Sequence, residues 1–261
     1  MKQFLLFLIL LCFSPAGVSF ASVMEGGVSK TGAGAQNRII DNQTSMPVPN
    51  ARVSLPKQNY STKTDANGVF DLNADINGQT ILSVEKEGYR PFSLTIDDKV
   101  ASIPMVVAIE KSNVQDMVLA AEMFHLGDDN YSNASANSGE FRGRAVGPFY
   151  SKTFKMTAAA LSKTNYLVIG SIIGIDTLMA KKLGQNKVVN SYASPPEVYF
   201  NGSKIAEIQL NGDGQRIKLP TNLIRPDRDN EITIKTGKNL MQTAYVDYDD
   251  IELMNISIQS E

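Results

Sequence analysis

Two stretches hold carboxylates that could act together. One is Asp128-Asp129, inside Phe124-His125-Leu126-Gly127-Asp128-Asp129-Asn130, and the other is Asp247, Asp249 and Asp250, more than a hundred residues later. His125, the sole histidine of the 261-residue chain, adjoins the first. That single imidazole bounds the chemistry. A Ser-His-Asp hydrolase would have to use it, and no Gly-x-Ser-x-Gly elbow is present. A zinc peptidase needs more ligating nitrogens than the chain owns. Paired carboxylates can hydrolyse a glycosidic bond without histidine, but a module this small is not expected to build the long cleft. The expectation is therefore a non-catalytic protein in which His125 is hydrogen-bonded beside the acidic loop. Sugar rings are gripped by an exposed aromatic face plus hydrogen bonds, and with no tryptophan in the chain the available faces are Tyr192, Tyr245 and Tyr248, in or beside expected loops. The same rings could instead pack against their own loops.

The elements that must carry these residues read as strands. Val198–Phe200, Asn201-Gly202-Ser203 and the alternating residues 204–210 form a hairpin, because Asn-Gly supplies the positive φ angles of a tight reversal. A second reversal at Asn211-Gly212-Asp213-Gly214 leads to residues 216–219, with Ile217 and Leu219 facing one way and Pro220 ending the strand. Ile232 and Ile234 point inward from residues 230–235. Upstream, residues 147–156 alternate, and residues 166–176 (YLVIGSIIGID) suit a central strand buried on both faces, with Gly170 and Gly174 marking a bulge or a close approach. Residues 179–184 can form a turn of helix, and residues 185–196 are a polar loop of the kind that carries recognition on a rigid sandwich.

The order of these pieces resembles the galactose-binding-like superfamily of jelly-roll β-sandwiches, to which many carbohydrate-binding modules belong. The resemblance covers roughly the last half of the chain and is carried by Val198, Asn201, Gly202, Leu223, Ile224, Asn230, Ile232, Ile234, Asp249, Asp250, Ile251, Asn255, Ile256 and Ile258. In such modules an early acidic loop and a late acidic strand lie side by side and hold a structural calcium. The resemblance thus implies that Asp128 and Asp129 share a calcium ion with Asp247, Asp249 and Asp250, a hard-oxygen set of the kind calcium prefers. The alternative is that these are solvated carboxylates capping turns. For function the resemblance implies binding of a glycan or polysaccharide.

Nearer the N-terminus, residues 38–41 and 51–55 read as strands, residues 62–72 as a hairpin about Asn67-Gly68, and residues 81–86 and 93–96 as strands flanking Glu87-Gly88-Tyr89. Ile40, Asp41, Thr44, Pro47, Val48, Ala51, Val53, Leu55, Thr64, Asp65, Gly68, Phe70, Leu72, Val84, Lys86, Gly88, Tyr89 and Pro91 make this region similar to the carboxypeptidase-regulatory-like, transthyretin-like domain. That resemblance implies a prealbumin-like sandwich acting as spacer or stabiliser. Asp65 is expected to accept backbone N–H bonds in its turn, and Tyr89 to plug a corner with its hydroxyl tied to backbone.

Met1-Lys2, the apolar residues 4–13 and small residues at Ser19 and Ala21 predict a signal peptide cleaved after Ala21, and hence export to the periplasm or beyond. Cys12, the only cysteine, leaves with it; Leu11 in front of it does not fit a lipoprotein signal. Losing Lys2 moves the formal charge from −2 to −3, the wrong sign for a nucleic-acid partner. No later run is long enough for a membrane span. The expected plan is all-β: signal peptide 1–21, flexible leader 22–36, a carboxypeptidase-regulatory-like sandwich 37–110, a linker 111–121 readable as helix or strand, and a galactose-binding-like sandwich 122–261. The expected function is glycan binding aided by calcium; the alternative is a structural or adhesive cell-surface protein whose sandwiches dock to protein.

Overall fold

The computed structural model describes residues 36–130, 141, 143–186 and 192–261, together with the backbone of short strands at β1 (Ser19–Phe20), β2 (Ser22–Val23) and β3 (Val28–Lys30). The expected signal peptide lies almost wholly outside the described residues. No helix among them is long and apolar enough to cross a membrane.

The chain is all-β. The first sandwich contains β4 (Arg38–Asp41), β5 (Arg52–Leu55), β6 (Tyr60–Lys63), β7 (Thr80–Glu85), β8 (Phe92–Ile96), helix α1 (Asp98–Ala101) and β9 (Met105–Ile109). A sheet ordered β6-β5-β7-β8 faces a sheet ordered β3-β9-β4. Between them lie Ile39, Val53, Leu55, Phe70, Leu82, Val84, Ile96, Val107 and Ile109. The alternation expected for residues 51–55 is present, with Ala51, Val53 and Leu55 fully buried. The Asn67-Gly68 hairpin is not. After β6 the chain leaves the sheet, and the leg following Gly68 bridges to Arg38 across the sandwich. The Gly68 carbonyl oxygen accepts from Ile39 N–H at 2.8 Å, and Gly68 has φ +72°. A Cβ there would lie 2.4 Å from the Ile39 carbonyl oxygen, so the glycine answers a close approach rather than a two-residue hairpin. Asp65 Oδ1 accepts from the N–H groups of Asn67 and Val69, both at 2.8 Å, as its turn requires. The Tyr89 hydroxyl donates to the Asp41 carboxylate at 3.0 Å rather than to backbone.

The second sandwich contains β10 (Met117–Ala120), β11 (Phe124–Leu126), β12 (Phe149–Lys155), β13 (Asn165–Ile173), helix α2 (Leu178–Lys182), β14 (Glu197–Phe200), β15 (Ser203–Glu207), β16 (Gly212–Lys218), β17 (Asp229–Lys235) and β18 (Ile251–Ser260). One sheet runs β1-β15-β14-β17-β12; the other runs β10-β18-β13-β16-β2, with β11 also on β18. The β14–β15 hairpin turns on Asn201 (φ +51°) and Gly202 (φ +83°), as the Asn-Gly pair predicts. The next reversal differs from expectation. The Asn211–Gly214 segment carries the chain from one sheet to the other, so β16 pairs with β13 and not with β15. Residues 117–120, inside the expected linker, form β10 on β18. In the expected leader, β2 pairs with β16 and β3 with β9. Such pairing uses only backbone groups at a sheet edge, which a composition poor in apolar residues does not reveal.

β18 is buried along all ten residues, because the first sandwich covers the outer face of its sheet. Leu82, Val84, Leu94 and Ile96 point into the first core, while their neighbours Ile81, Ser83, Ser93 and Thr95 face the second sandwich. Ser171 Oγ meets Ser93 Oγ at 2.9 Å, Asn255 Nδ2 donates to Ser83 Oγ at 3.2 Å, and Asp213 accepts from Thr95 N–H at 3.0 Å and Thr95 Oγ1 at 2.8 Å. Ile81, Ile173 and Met254 fill the apolar part. Gly170 is required here, since a Cβ would lie 2.4 Å from Ser93 Oγ. At the join, Arg90 binds Asp116 and Glu110, each at 2.8 Å, and Asp116 also accepts from Ser260 N–H at 3.1 Å.

Candidate functional site at the loop end of the second sandwich

β11 and β18 run antiparallel with His125 opposite Glu252, and this pairing carries the early acidic loop to the late acidic strand. His125 is buried, with Nε2 at 2.7 Å from Asp250 Oδ1 and Nδ1 at 2.8 Å from the Gly143 carbonyl oxygen. Both nitrogens face acceptors, so the ring suits an imidazolium donating on both sides. Burial opposes that charge, but Asp250, the Gly143 carbonyl and Glu252 outweigh it and raise the imidazole pKa above its ordinary value. Asp129 Oδ1 lies 3.7 Å from Nδ1 and accepts from Ala145 N–H at 2.9 Å, while Asp129 N–H donates to Asp250 Oδ1 at 3.2 Å. Gly127 leaves room for this contact, since a Cβ would sit 1.9 Å from Asp250 Oδ1.

The other carboxylates form two adjoining groups. Asp128 accepts from the N–H groups of Asn130 and Tyr248, both at 3.1 Å. Asn130 Nδ2 sits between Asp247 Oδ1, at 3.3 Å, and the Tyr245 hydroxyl, at 3.1 Å. Asn239 Nδ2 donates to the second Asp247 oxygen at 2.9 Å. Asp249 and Asp250, just ahead of β18, meet different partners, and Asp249 accepts from Asp176 N–H at 3.1 Å. Asp176 in turn accepts from Asn186 Nδ2 at 2.9 Å. Burial, with the Asp176, Asp250 and Asp247 carboxylates nearby, pushes the Asp249 carboxyl well above its ordinary range. Burial, assisted by Asp128 and Asp250, raises Asp247 despite its amide donors. Among the described residues, neither Asp247 nor Asp249 forms an ion pair with lysine or arginine. The five aspartates expected to act together thus lie at one end of the sandwich, divided between the His125, Asn130 and Asp176 neighbourhoods. Among the described residues, the group of three whose potential ligand atoms lie within 4.8 Å of one another is His125, Asp129 and Asp250, and its imidazole is already engaged between Asp250 and the Gly143 carbonyl.

The tyrosine loops converge on the same end. Ala193 bridges both Thr177 and Asn239, Leu240 N–H donates to the Tyr192 carbonyl oxygen at 2.8 Å, and Lys238 bridges Tyr248. Gly237 permits the close contact, because a Cβ there would lie 1.8 Å from the Ser194 carbonyl oxygen. Tyr245 is 53% exposed. Lys181 Nζ lies 4.1 Å from the centre of the Tyr192 ring, and Lys238 Nζ 5.7 Å from that of Tyr248.

Residues 37–119 match the family model of the CarboxypepD_reg-like domain. No curated protein matches the chain. The CarboxypepD_reg-like region therefore comprises the first sandwich, the Arg90–Asp116 join and the start of β10. A domain of this regulatory or binding type brings no catalytic family with it. It lies behind the second sandwich, on the seam sheet, so the loop end is built from the second sandwich alone. Asp176, Asn130, Asn186 and Asn239 belong to that end and do not stand out in the sequence. Asp176 closes the apolar run 166–176, where a carboxylate ending a buried strand is the one available signal.

Proposed function

We propose that the chain is an exported, non-catalytic glycan-binding protein whose second half is a galactose-binding-like sandwich, with the CarboxypepD_reg-like domain as its rigid backing. The observation that carries this reading is the convergence of Tyr192, Tyr245 and Tyr248 on one loop end beside Asp128, Asp129, Asp247, Asp249 and Asp250. A calcium ion held by carboxylates of that set would neutralise buried charge and tie together the 127–130 and 236–250 segments, fixing the loops that present the rings. A glycan array probed with the full chain tests it. A subset of glycans should be retained, less of each after chelation, and retention should fall in Tyr245→Ala. A blank array with calcium present would contradict the reading.

One observation favours a second reading, docking to a cell-surface protein. Leu178, Met179, Leu183, Leu240, Met241, Tyr245 and Val246 lie at this end, seven of the fourteen exposed large apolar residues of the described chain. Concentrated apolar surface on loops marks interaction sites.

A further inference from the structure

We propose that Tyr245 is the platform of the loop end, that Asn130 positions it, and that the glycan it takes is neutral. The inference rests on the glycan reading above and adds the contact ring and the charge of the ligand. Tyr192 and Tyr248 each lie under a lysine, with Lys181 Nζ 4.1 Å and Lys238 Nζ 5.7 Å from the ring centres. Among the described residues no cation covers Tyr245, which is 53% exposed. Leu240, Met241 and Val246 are exposed on the same loop. A pyranose has an apolar C–H face as well as hydroxyls, and a bare aromatic ring with apolar flanks answers that face.

The polar tip of the ring is held in place. Asn130 Nδ2 lies 3.1 Å from the Tyr245 hydroxyl and 3.3 Å from Asp247 Oδ1, so one N–H of the amide serves each. The hydroxyl oxygen therefore accepts, and its own O–H is left to donate to a sugar oxygen, strengthened by the bond the oxygen receives. Asn239 Nδ2 donates to Asp247 Oδ2 and Asn239 Oδ1 accepts from Met241 N–H, both at 2.9 Å, so the loop is ordered before a ligand arrives. Charge decides the class of sugar. Asp247 stands two residues after Tyr245, and Asp128 accepts from Tyr248 N–H. A uronate or sulfate stacked on the ring would face these carboxylates, and like charges brought together at an interface oppose binding. Neutral hydroxyls meet no such opposition.

The test is an array of neutral glycans and their sulfated or uronate counterparts, probed with the full chain at fixed calcium, then calorimetric titration of the best-retained oligosaccharide into wild type and variants. The retained glycans should be neutral, and the acidic form of each retained backbone should bind at least several-fold more weakly. Tyr245→Ala should lose roughly thirtyfold, and Tyr192→Ala and Tyr248→Ala no more than about threefold. Tyr199→Ala, on the outer face of β14, should bind as wild type does. Asn130→Ala should lose roughly threefold in the wild-type background and nothing further in Tyr245→Phe, where the hydroxyl it holds is gone. A merely structural asparagine would cost the same in both backgrounds. Acidic glycans retained as well as neutral ones, Tyr245→Ala binding as wild type does, or equal Asn130→Ala losses in the two backgrounds overturns the proposal and leaves glycan binding standing. A blank array overturns both.

Discussion

The seam between the sandwiches and the loop end of the second sandwich both bury polar side chains, but of different kinds. The seam uses Ser83, Ser93, Thr95, Ser171 and Asn255, and the Asp213 carboxylate there receives Thr95 N–H, Thr95 Oγ1 and Ser171 Oγ. The loop end buries Asp176, Asp247, Asp249, Asp250 and Glu252, with His125 as the partner of Asp250. Neutral hydroxyls and amides suffice to hold two surfaces together. Taking a carboxylate out of water costs several kcal/mol, and clustering like charges raises the cost further. Such clusters recur where a protein binds or reacts. The difference sets a seam held by neutral groups against a loop end whose buried charge is the reason for proposing it as the site.

The largest expected effect is at the loop end. His125→Ala leaves Asp250 buried without its imidazolium, a change that costs about 3 kcal/mol or more where a buried pair loses one member. At 2–4 °C per kcal/mol for a chain of this size, thermal unfolding should occur roughly 6–12 °C lower. The pH dependence should change with it. Because the folded-state pKa of His125 is raised, its contribution is fully present below the unfolded value near 6.5 and is lost as pH rises through the folded value. Wild-type melting temperature should therefore fall from neutral into alkaline pH, and the variant should lack that slope. An equal slope in both would place the titrating group elsewhere.

A smaller effect is expected at the seam. Asp213→Ala strands Thr95 N–H and should cost about 1–3 kcal/mol, whereas Asp213→Asn keeps an acceptor and removes the charge. Burial raises the Asp213 carboxyl pKa despite three donors, so its ionised form is disfavoured in the folded state and the amide should be close to neutral in stability. If urea melts show Asn as costly as Ala, the charge itself is needed and the seam is not merely adhesive.

The all-β class and much of the second sandwich were legible because local chemistry decided them. Asn201-Gly202 turns where its φ angles require, and Ile217, Leu219, Ile232 and Ile234 are fully buried as their alternation predicts. The misread pieces turn on distant partners. Gly68 is set by the Ile39 carbonyl, and β16 by β13, neither of which is near in sequence. The seam was invisible for the same reason, since Ser83, Ser93 and Thr95 alternate with apolar residues as a solvated face would. At the loop end the acidic clusters could be named from sequence, but not that Asp249 and Asp250 diverge toward Asp176 and His125. The two residues lie just ahead of β18, and their directions are set by the distant loops that reach them.

The central claim, that the loop end is a cation-assisted site and the seam is not, is tested most directly by melting the full chain after purification in chelator, with and without added calcium. At calcium about a hundred times its dissociation constant, binding to the folded state alone is worth roughly 2.7 kcal/mol, or on the order of 5–10 °C for a chain of this size. The account predicts that increase in wild type and in Asp213→Ala, and its loss in Asp249→Ala. An unchanged melting temperature in wild type on adding calcium would contradict it.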